Sequence, residues 1–193
     1  MDLLLASTSV VRGTMLANAG VPYGAVAPGV DEDAIKAGFV GDDAALAGAL
    51  AGAKAVSVSR GRNESWVIGG DSVLSVEGRR FSKPGGRAEA AEHLRAFSGR
   101  TMVLTSAVAL ARGDAVEWSH VEEARLSVRA LSEAFIEEYL EAEWPEVGYC
   151  VGVFRLEGRG VQLFERIKGD YFSVLGMPLV ALLGALRARG VLA

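Results

Sequence analysis

An acid and a lysine stand near the two ends of the segment GGDSVLSVEGRRFSKP, which covers residues 69–84. Asp71 follows the apolar residues 66–68 and two glycines, a pattern that predicts a carboxylate at the end of a buried strand. In α/β proteins this end of a strand is where ligands bind. Lys83 precedes Pro84, and proline confines the residue before it to extended backbone. A carboxylate and an ammonium group at the two feet of a hairpin are suited to proton transfer and to anion binding.

A second group of polar residues lies in the segment ASTSVVRG, residues 6–13. It places Ser7, Ser9 and Arg12 where an apolar run changes to a helical pattern. Such a junction presents free backbone N–H groups and the positive end of a helix dipole, which together favour phosphate. An ordinary helix cap with a solvated arginine is the alternative. The segment has neither the spacing of a Walker loop nor that of a dinucleotide fold, so a phosphate site here is of another kind.

Other titratable residues have an ordinary structural explanation when each is taken alone. Glu32 lies in the first turn of a predicted helix, where acids are common. Lys54 falls late in an alanine-rich helix, a position typical of a solvated lysine. His93, His120 and Cys150 do not have the spacing of a zinc site, and we interpret all three as structural. The sequence also lacks the GxSxG turn of serine hydrolases.

Length and composition indicate one domain over residues 1–193 with a substantial core. Half of the residues, 50%, are hydrophobic and 23% are charged, as in ordinary globular proteins. The net charge of −4 argues against broad binding to nucleic acid or anionic membranes. A single cysteine favours a reducing compartment, and the sequence shows no basic leader or long apolar run. We therefore expect a cytoplasmic protein that binds neither membrane nor nucleic acid.

The elements that must position these residues alternate between strand-like and helical patterns, which predicts a mixed α/β sheet. A helix is expected after residue 9, ending at Gly20. Further helices are predicted by their apolar spacing over residues 42–60, 86–97, 132–144 and 178–190. Strands are expected over 66–71, 73–81 with a turn at residues 77–78, 101–129 as two strands, 149–154 and 160–167.

The order of several motifs along the chain is more specific than any one of them. LLLASTSVVRG, GVDE, LAGAKA, VIGGDSV, FSKP, FSGRT and EGRGVQLFERIKGDYFSVLGMPL follow one another between Leu3 and about Leu186. Read together, they resemble the Maf family of nucleoside triphosphate pyrophosphatases. The resemblance implies an elongated, mixed and twisted sheet flanked by helices, two lobes with a central cleft, and similarity to inosine triphosphate pyrophosphatases. It also implies hydrolysis of a nucleoside triphosphate to the monophosphate and pyrophosphate, with a divalent metal.

The resemblance assigns roles to individual residues. Asp71 corresponds to the proposed general base, and the hairpin after it spaces it from the lysine that faces the phosphates. Glu32 and Asp71 are expected to hold Mg²⁺ or Mn²⁺, since carboxylates near a triphosphate need a cation between them. Cations and hydrogen-bond donors for the triphosphate are expected from Ser7, Ser9, Arg12, Lys54 and Lys83.

Three positions bear on the choice of base. The family usually reads S-x-S-P-R-R where this chain reads STSVVR, so Val11 stands at a position where other members carry a specificity arginine or tryptophan. Ser72 replaces the threonine or glutamine of those members. Glu157 matches the glutamate of the 7-methyl-GTP type, and a carboxylate can accept hydrogen bonds from two donors of guanine. A guanine-type base is therefore favoured, with a surface acid before a turn as the alternative for Glu157.

Two other functions remain open at this point. The chain could be a non-catalytic nucleotide-binding regulator of cell division, since the proline and the first arginine of the motif are absent. It could also clear inosine triphosphate, which differs only in substrate. The sequence does not decide between a monomer and a homodimer.

Overall fold

The protein is described here over residues 2–193 by a computed structural model. The strands of this part of the chain are β1 Leu3–Ala6, β2 Gly24–Val26, β3 Trp66–Val76, β4 Arg79–Phe81, β5 Thr101–Arg112, β6 Ala115–Val128 and β7 Phe164–Lys168. The α-helices are α1 Val10–Asn18, α2 Glu32–Ala37, α3 Asp43–Ser59, α4 Arg87–Phe97, α5 Glu133–Glu143, α6 Tyr171–Val174 and α7 Leu179–Ala188.

The strands form one mixed sheet with the order β2-β1-β3-β5-β6-β7, and β4 pairs with β3 outside this path. β1 is parallel to both β2 and β3, whereas the β3–β4 and β6–β7 pairs are antiparallel. Parallel pairs need crossover connections, which the helices supply, and antiparallel pairs need only short turns. The prediction of a mixed α/β sheet with flanking helices is confirmed.

The chain divides into two compact units. The first unit consists of the chain up to Ser72, Thr105–Glu122 and the chain from Asp170 onward. The second unit consists of Val73–Leu104 and Glu123–Gly169. No helix among residues 2–193 has the length and apolar character needed to cross a lipid bilayer.

The core of the first unit is a cluster of aliphatic side chains between β1, β3 and two helices. Leu5 and Ile68, on neighbouring parallel strands, are almost completely buried. Leu16 of α1 and Leu182 of α7 pack into the same cluster. This packing follows from the helical spacing of apolar residues in both helices, and α7 begins after Pro178, which suits the start of a helix.

The core of the second unit is partly aromatic. Phe81 of β4 makes edge-on contacts with His93 and Phe97 of α4, with ring centroids 5.1 and 4.8 Å apart. α5 is capped as its sequence predicts, because the Ser132 side chain accepts a hydrogen bond from the backbone N–H of Phe135. Paired charges of α4 and α5, Arg87–Glu137 at 2.6 Å and Arg95–Glu133 at 2.8 Å, join the two helices at their surface.

Four of the predicted strands differ from the structure. The patterns at 66–71 and 73–81 are not separated at Asp71, because β3 runs without a break from Trp66 to Val76 and the chain turns only at Glu77 and Gly78. The predicted strand at 149–154 is wrong: a 3-10 helix spans Glu146–Tyr149 and turns follow it. A 3-10 helix also occupies Arg159–Leu163, so that the last strand begins only at Phe164.

Candidate active site

Asp71 lies inside the long strand β3, two residues beyond the point where the neighbouring strand β1 ends. β1 stops at Ala6, which pairs with Gly69, whereas β3 continues past that point. The loop that begins at Ser7 therefore lies beside the stretch of β3 that contains Asp71. The prediction that Asp71 ends its own strand is wrong, because β3 continues to Val76; the strand that ends beside this stretch is β1.

Two glycines bring a helix and an arginine close to this stretch of β3. A Cβ atom at Gly69 would lie 2.1 Å from the carbonyl oxygen of Ala51 in α3, so only glycine fits there. A Cβ at Gly70 would lie 3.2 Å from Nε of Arg12. Because alternate residues of a strand face opposite sides, Gly69 and Asp71 face α3, while Gly70 faces the Arg12 side chain.

On the α3 side, one lysine joins two carboxylates. Lys54 Nζ lies 2.6 Å from Oδ1 of Asp71 and 2.7 Å from Oε1 of Glu32. Lys54 and Asp71 are each 7% exposed, so Lys54 is not the solvated residue that its position in the helix suggests. We refer to Glu32, Lys54 and Asp71 as the lysine-bridged carboxylate pair.

The partner charges determine the ionisation of Glu32. Burial acts to raise the pKa of Glu32, but the hydrogen bond and the charge of Lys54, followed by those of Lys36, outweigh it, so the pKa is lowered. Lys36 Nζ is 3.5 Å from Oε2 of Glu32. Glu32 is therefore ionised at neutral pH and available to a cation.

On the opposite side of β3, the Arg12 guanidinium is held by neutral oxygen atoms. Nε donates to the carbonyl oxygen of Gly176 at 2.9 Å, and Nη2 donates to Oγ of Ser72 at 3.4 Å. Burial lowers the pKa of Arg12, while the charges of Asp71 and Glu32 act to raise it. Arginine remains protonated in proteins, so the group keeps a positive charge that these neutral acceptors do not cancel.

The loop after β1 forms the start of α1 as predicted. Oγ of Ser9 accepts a hydrogen bond from the backbone N–H of Arg12, and Oγ of Ser7 accepts one from the backbone N–H of Ser9. The first turn of α1 contains no acidic side chain, which leaves its positive end open to an anion. A groove of about 470 Å³ borders this loop and includes Tyr23 in its wall.

Val11, which the resemblance places among the substrate-binding residues, packs against the hydrophobic core of the first unit. Its neighbour Val10 is 81% exposed. A valine side chain in contact with the core contributes apolar packing and has no hydrogen-bond donor for a base. Its role in selecting the base stays a prediction.

The second unit contains the two remaining predicted residues, Lys83 and Glu157, both exposed. Both act on the same thiol: burial raises the pKa of Cys150, with Glu157 adding to the rise and Lys83 opposing it. Glu157 belongs to a tight turn in which the N–H of Gly158 donates to the carbonyl oxygen of Arg155 at 3.1 Å. The turn gives Glu157 a defined backbone, although its side chain reaches solvent.

Several polar residues near Arg12 were not predicted from the sequence. Ser106 of β5 and Ser173 of α6 are buried, and Ser72 lies 2.9 Å from Ser106 between their Oγ atoms. The signal for Ser106 was a serine inside the apolar run VLTSAVALA, an unusual place for a polar side chain. Glycine has no side chain, so nothing in the sequence indicates that the carbonyl oxygen of Gly176 accepts a hydrogen bond from Arg12.

His93 and His120, interpreted from the sequence as structural, contact ordinary protein neighbours. His93 packs between aromatic rings, and His120 Nε2 is 3.0 Å from Oε1 of Glu122. Throughout the described part of the chain, residues 2–193, no three or more His, Cys, Asp or Glu side chains group in a way that could hold a metal ion.

Comparison with known proteins identifies relatives over nearly the whole chain. The profile of the family described as Maf-like protein matches residues 2–189. A 7-methyl-GTP pyrophosphatase of Rhizobium meliloti is 45% identical, with 98% of this chain and 97% of the relative covered. A nucleoside triphosphate pyrophosphatase of Nitrobacter hamburgensis is 47% identical, with 98% and 95% covered. Among solved structures, a dITP/XTP pyrophosphatase of Mycobacterium abscessus aligns with a TM-score of 0.41 at 19% identity, covering 68% of this chain and 76% of that chain.

Proposed function

The chain belongs to the Maf-like protein family, and from this premise we propose that it is a nucleoside triphosphate pyrophosphatase. It is a hydrolase of phosphorus anhydrides, which converts a nucleoside triphosphate and water into a nucleoside monophosphate and pyrophosphate. The observation that carries the proposal is the arrangement around β3, with the lysine-bridged carboxylate pair on one side and, on the other, an arginine whose hydrogen-bond acceptors are neutral.

Asp71 is the proposed proton acceptor. Lys54 engages its Oδ1, which leaves Oδ2 for a water molecule. The oxygen of this water forms a bond to the α-phosphorus while Asp71 takes its proton. The bond between the α-phosphorus and the bridging oxygen breaks, and pyrophosphate leaves with the electron pair. Lys54 fixes the orientation of the carboxylate throughout.

Cations and N–H donors bind the triphosphate in this proposal. Arg12 offers a positively charged guanidinium group, whose orientation is fixed by hydrogen bonds to Gly176 and Ser72. The loop containing Ser7 and Ser9 offers backbone N–H groups at the start of α1. Lys83 is assigned to the phosphates on the strength of the family resemblance. A triphosphate carries several negative charges, so groups of this kind are needed where charge develops.

A divalent metal fits the lysine-bridged carboxylate pair. Glu32 and Asp71 already converge on one positive group, the ammonium of Lys54. Carboxylate oxygens are also the ligands that Mg²⁺ and Mn²⁺ prefer. Mg²⁺ commonly binds through one or two carboxylates plus substrate phosphates, so a larger cluster of acidic side chains is not required. When bound, such an ion would neutralise phosphate charge and lower the pKa of a bound water molecule. Glu32 and Asp71 would hold it, with Lys54 sharing the carboxylates.

The preferred base in our proposal is of the guanine type. Glu157 supports this choice, because a carboxylate offers two acceptors to the two donors of guanine. The name of the Rhizobium meliloti relative points the same way. Val11 supplies no aromatic ring, so stacking on the base is not part of the proposal.

A non-catalytic regulator is not favoured. A protein that only senses a nucleotide does not need a buried carboxylate held 2.6 Å from a lysine. We also propose that the protein acts in the cytoplasm on a small-molecule substrate and does not bind nucleic acid. The net charge of −4 and the single cysteine support this.

The test is product analysis with a panel of nucleotides. The purified protein is incubated with GTP, 7-methyl-GTP, UTP, dTTP and ITP in the presence of Mg²⁺ or Mn²⁺, and products are identified by chromatography and ³¹P NMR. We expect equal amounts of monophosphate and pyrophosphate, with ¹⁸O from labelled water in the monophosphate. Diphosphate and orthophosphate would contradict the assigned bond. Binding without turnover across the panel would support the regulator.

A further inference from the structure

A chain of hydroxyl groups lies behind Arg12. Oγ of Ser72 is 3.4 Å from Nη2 of Arg12 and 2.9 Å from Oγ of Ser106. Oγ of Ser106 donates to the carbonyl oxygen of Ser173 at 2.7 Å. We call Ser72, Ser106 and the Ser173 carbonyl the hydroxyl relay. All of it belongs to the first unit.

The direction of the hydrogen bonds in the hydroxyl relay follows from counting protons. A serine hydroxyl has one proton to donate and two lone pairs. Ser106 gives its proton to the Ser173 carbonyl, so in the contact between the two hydroxyls Ser72 must be the donor. Oγ of Ser72 then presents its lone pairs to Nη2 of Arg12. The carbonyl of Gly176, 3.4 Å from Oγ of Ser72, is a longer and weaker alternative for the same proton.

The short segment 173–176 supplies backbone carbonyl acceptors both to the hydroxyl relay and to Arg12. Ser173 ends the hydroxyl relay, and Gly176 accepts from Nε of Arg12. The two residues are joined by a turn in which the N–H of Gly176 donates to the Ser173 carbonyl. Gly176 has φ 102°, a backbone conformation that favours glycine, and a Cβ there would make a tight contact of 3.3 Å with Oγ of Ser72. The side chain of Arg12 is thus held at two of its nitrogen atoms.

We propose that Ser72 and Ser106 are positioning residues that orient the Arg12 guanidinium for a phosphate group. This inference rests on the proposed function, and it moves Ser72 from the base, where the family resemblance puts it, to the phosphate side of the substrate. The reason is that the Ser72 hydroxyl donates its proton to Ser106 and accepts a hydrogen bond from Arg12. A hydroxyl committed in this way is poorly placed to select a base.

The first test uses inorganic tripolyphosphate, which has phosphates and no base, as a ligand in titration calorimetry. Wild type, Ser72→Ala and Ser106→Ala are compared with Ser75→Ala, which removes a buried hydroxyl from the same strand outside the hydroxyl relay. We expect binding to weaken about tenfold in Ser72→Ala, which removes one hydrogen bond to a charged group, and by up to the same factor in Ser106→Ala, which removes the acceptor that orients Ser72. The Ser75→Ala variant should bind like wild type. Unchanged binding in both relay variants overturns the inference.

A double-mutant cycle separates positioning from general loss of structure. In an Arg12→Ala background, Ser106→Ala should cause no further loss of tripolyphosphate affinity, because the group that it orients is gone. A further loss of the same size as in wild type would mean that Ser106 acts by supporting the fold, and would overturn the inference.

Nucleotide kinetics distinguish the two roles of Ser72. If it positions Arg12, Ser72→Ala lowers kcat/KM for GTP and UTP by the same factor. If it contacts the base, the GTP/UTP ratio changes and tripolyphosphate affinity does not, which refutes this inference while leaving the proposed function intact. Wild-type protein that neither binds tripolyphosphate nor responds to Arg12→Ala would instead refute the phosphate-binding part of the proposed function, and the inference with it.

Discussion

The two compact units differ in how they hold the residues assigned to the substrate. In the first unit, Lys54 and Asp71 are buried and bonded to each other, and Arg12 is fixed at two nitrogen atoms. In the second unit, Lys83 and Glu157 reach solvent from a loop and a tight turn. A buried and bonded group has already lost its side-chain freedom on folding, whereas an exposed lysine or glutamate loses it only when substrate binds. Chemistry that needs fixed geometry is therefore expected of the first unit, and adjustable recognition of the second.

The largest effect should follow from Asp71→Asn in the first unit. The change keeps the size and one acceptor oxygen of the side chain but removes its ability to take a proton. Turnover should fall by roughly 10²–10⁴-fold, as is typical when a general base is lost. Steady-state kinetics with the best nucleotide of the panel give the measurement, and thermal unfolding checks the fold.

Asp31→Asn is the matched control for this change. Asp31 caps α2 through its side chain and is exposed, and asparagine caps helices equally well. Turnover at the wild-type rate in Asp71→Asn would make Asp71 a structural residue and remove the main contrast between the units.

Arg12→Ala and Lys83→Ala compare a fixed cation with an adjustable one. Both should lower kcat/KM equally for all nucleotides, because phosphate is common to them. We expect a roughly ten- to hundredfold loss for Arg12→Ala, from its contribution of charged hydrogen bonds, and less for Lys83→Ala, whose ordering cost offsets part of the gain. Lys168→Ala, an exposed lysine of β7, is the control. A change in base preference at an unaltered rate would show that the residue in question does not bind phosphate.

Glu157→Gln tests recognition of the base by the second unit. Glutamine keeps the shape but turns one acceptor into a donor, which leaves one guanine donor facing another at a cost of about 1–3 kcal/mol. The preference for GTP over UTP should fall by roughly tenfold, while UTP turnover holds or rises. Glu165→Gln, an exposed acid of β7, should leave the ratio alone. If the ratio survives in Glu157→Gln as well, Glu157 is a surface acid.

The smallest effect should be a pH dependence of the second unit that leaves the site residues untouched. Burial lowers the pKa of His93 below 6.5, with Arg79 adding to the effect and Glu89 opposing it. The unfolded chain therefore binds the His93 proton at a higher pH than the folded protein does. Stability is fully present above pH 6.5 and declines as the pH falls from there toward the folded pKa.

Amide hydrogen exchange, corrected for its intrinsic pH dependence, can measure this effect. Protection of β4 and α4 should decrease between pH 7 and pH 5 in wild type. In His93→Phe, which keeps an aromatic ring beside Phe81 and Phe97, the decrease should be smaller. An identical pH profile in both proteins would show that His93 is not the group responsible.

Local sequence signals predicted the helices well. Ser132 and Pro178 mark the starts of α5 and α7, and Gly20 follows the end of α1, because caps and breakers act over a single turn. The strand predicted at 149–154 failed for a tertiary reason. Its apolar residues are buried by loop packing rather than by strand pairing: Val153 has φ 54°, and its carbonyl accepts a hydrogen bond from Oη of Tyr139 at 3.0 Å.

The candidate site was predictable in part. An acid after an apolar run made Asp71 a candidate, and the hydroxyls at a strand-to-helix junction did the same for Ser7 and Ser9; their roles stay predictions. The pairing of Lys54 with Asp71 was not visible, since it joins residues 17 positions apart through the packing of α3 on β3. The role of Ser106 depends on the fold in the same way.

The glycine pair at Gly69 and Gly70 has a consequence for how this protein can change. Glycine loses more backbone entropy on folding than any other residue, and inside a strand it costs roughly 0.5–1 kcal/mol relative to alanine. At other positions whose backbone conformation allows it, replacing glycine by a residue that restricts the unfolded chain would stabilise the protein. At Gly69 that route is closed, because even a methyl group would meet the backbone of α3 at 2.1 Å. A search for more stable variants should therefore find its gains in other parts of the molecule, and the strand that positions the proposed base should remain intrinsically weak in every active descendant.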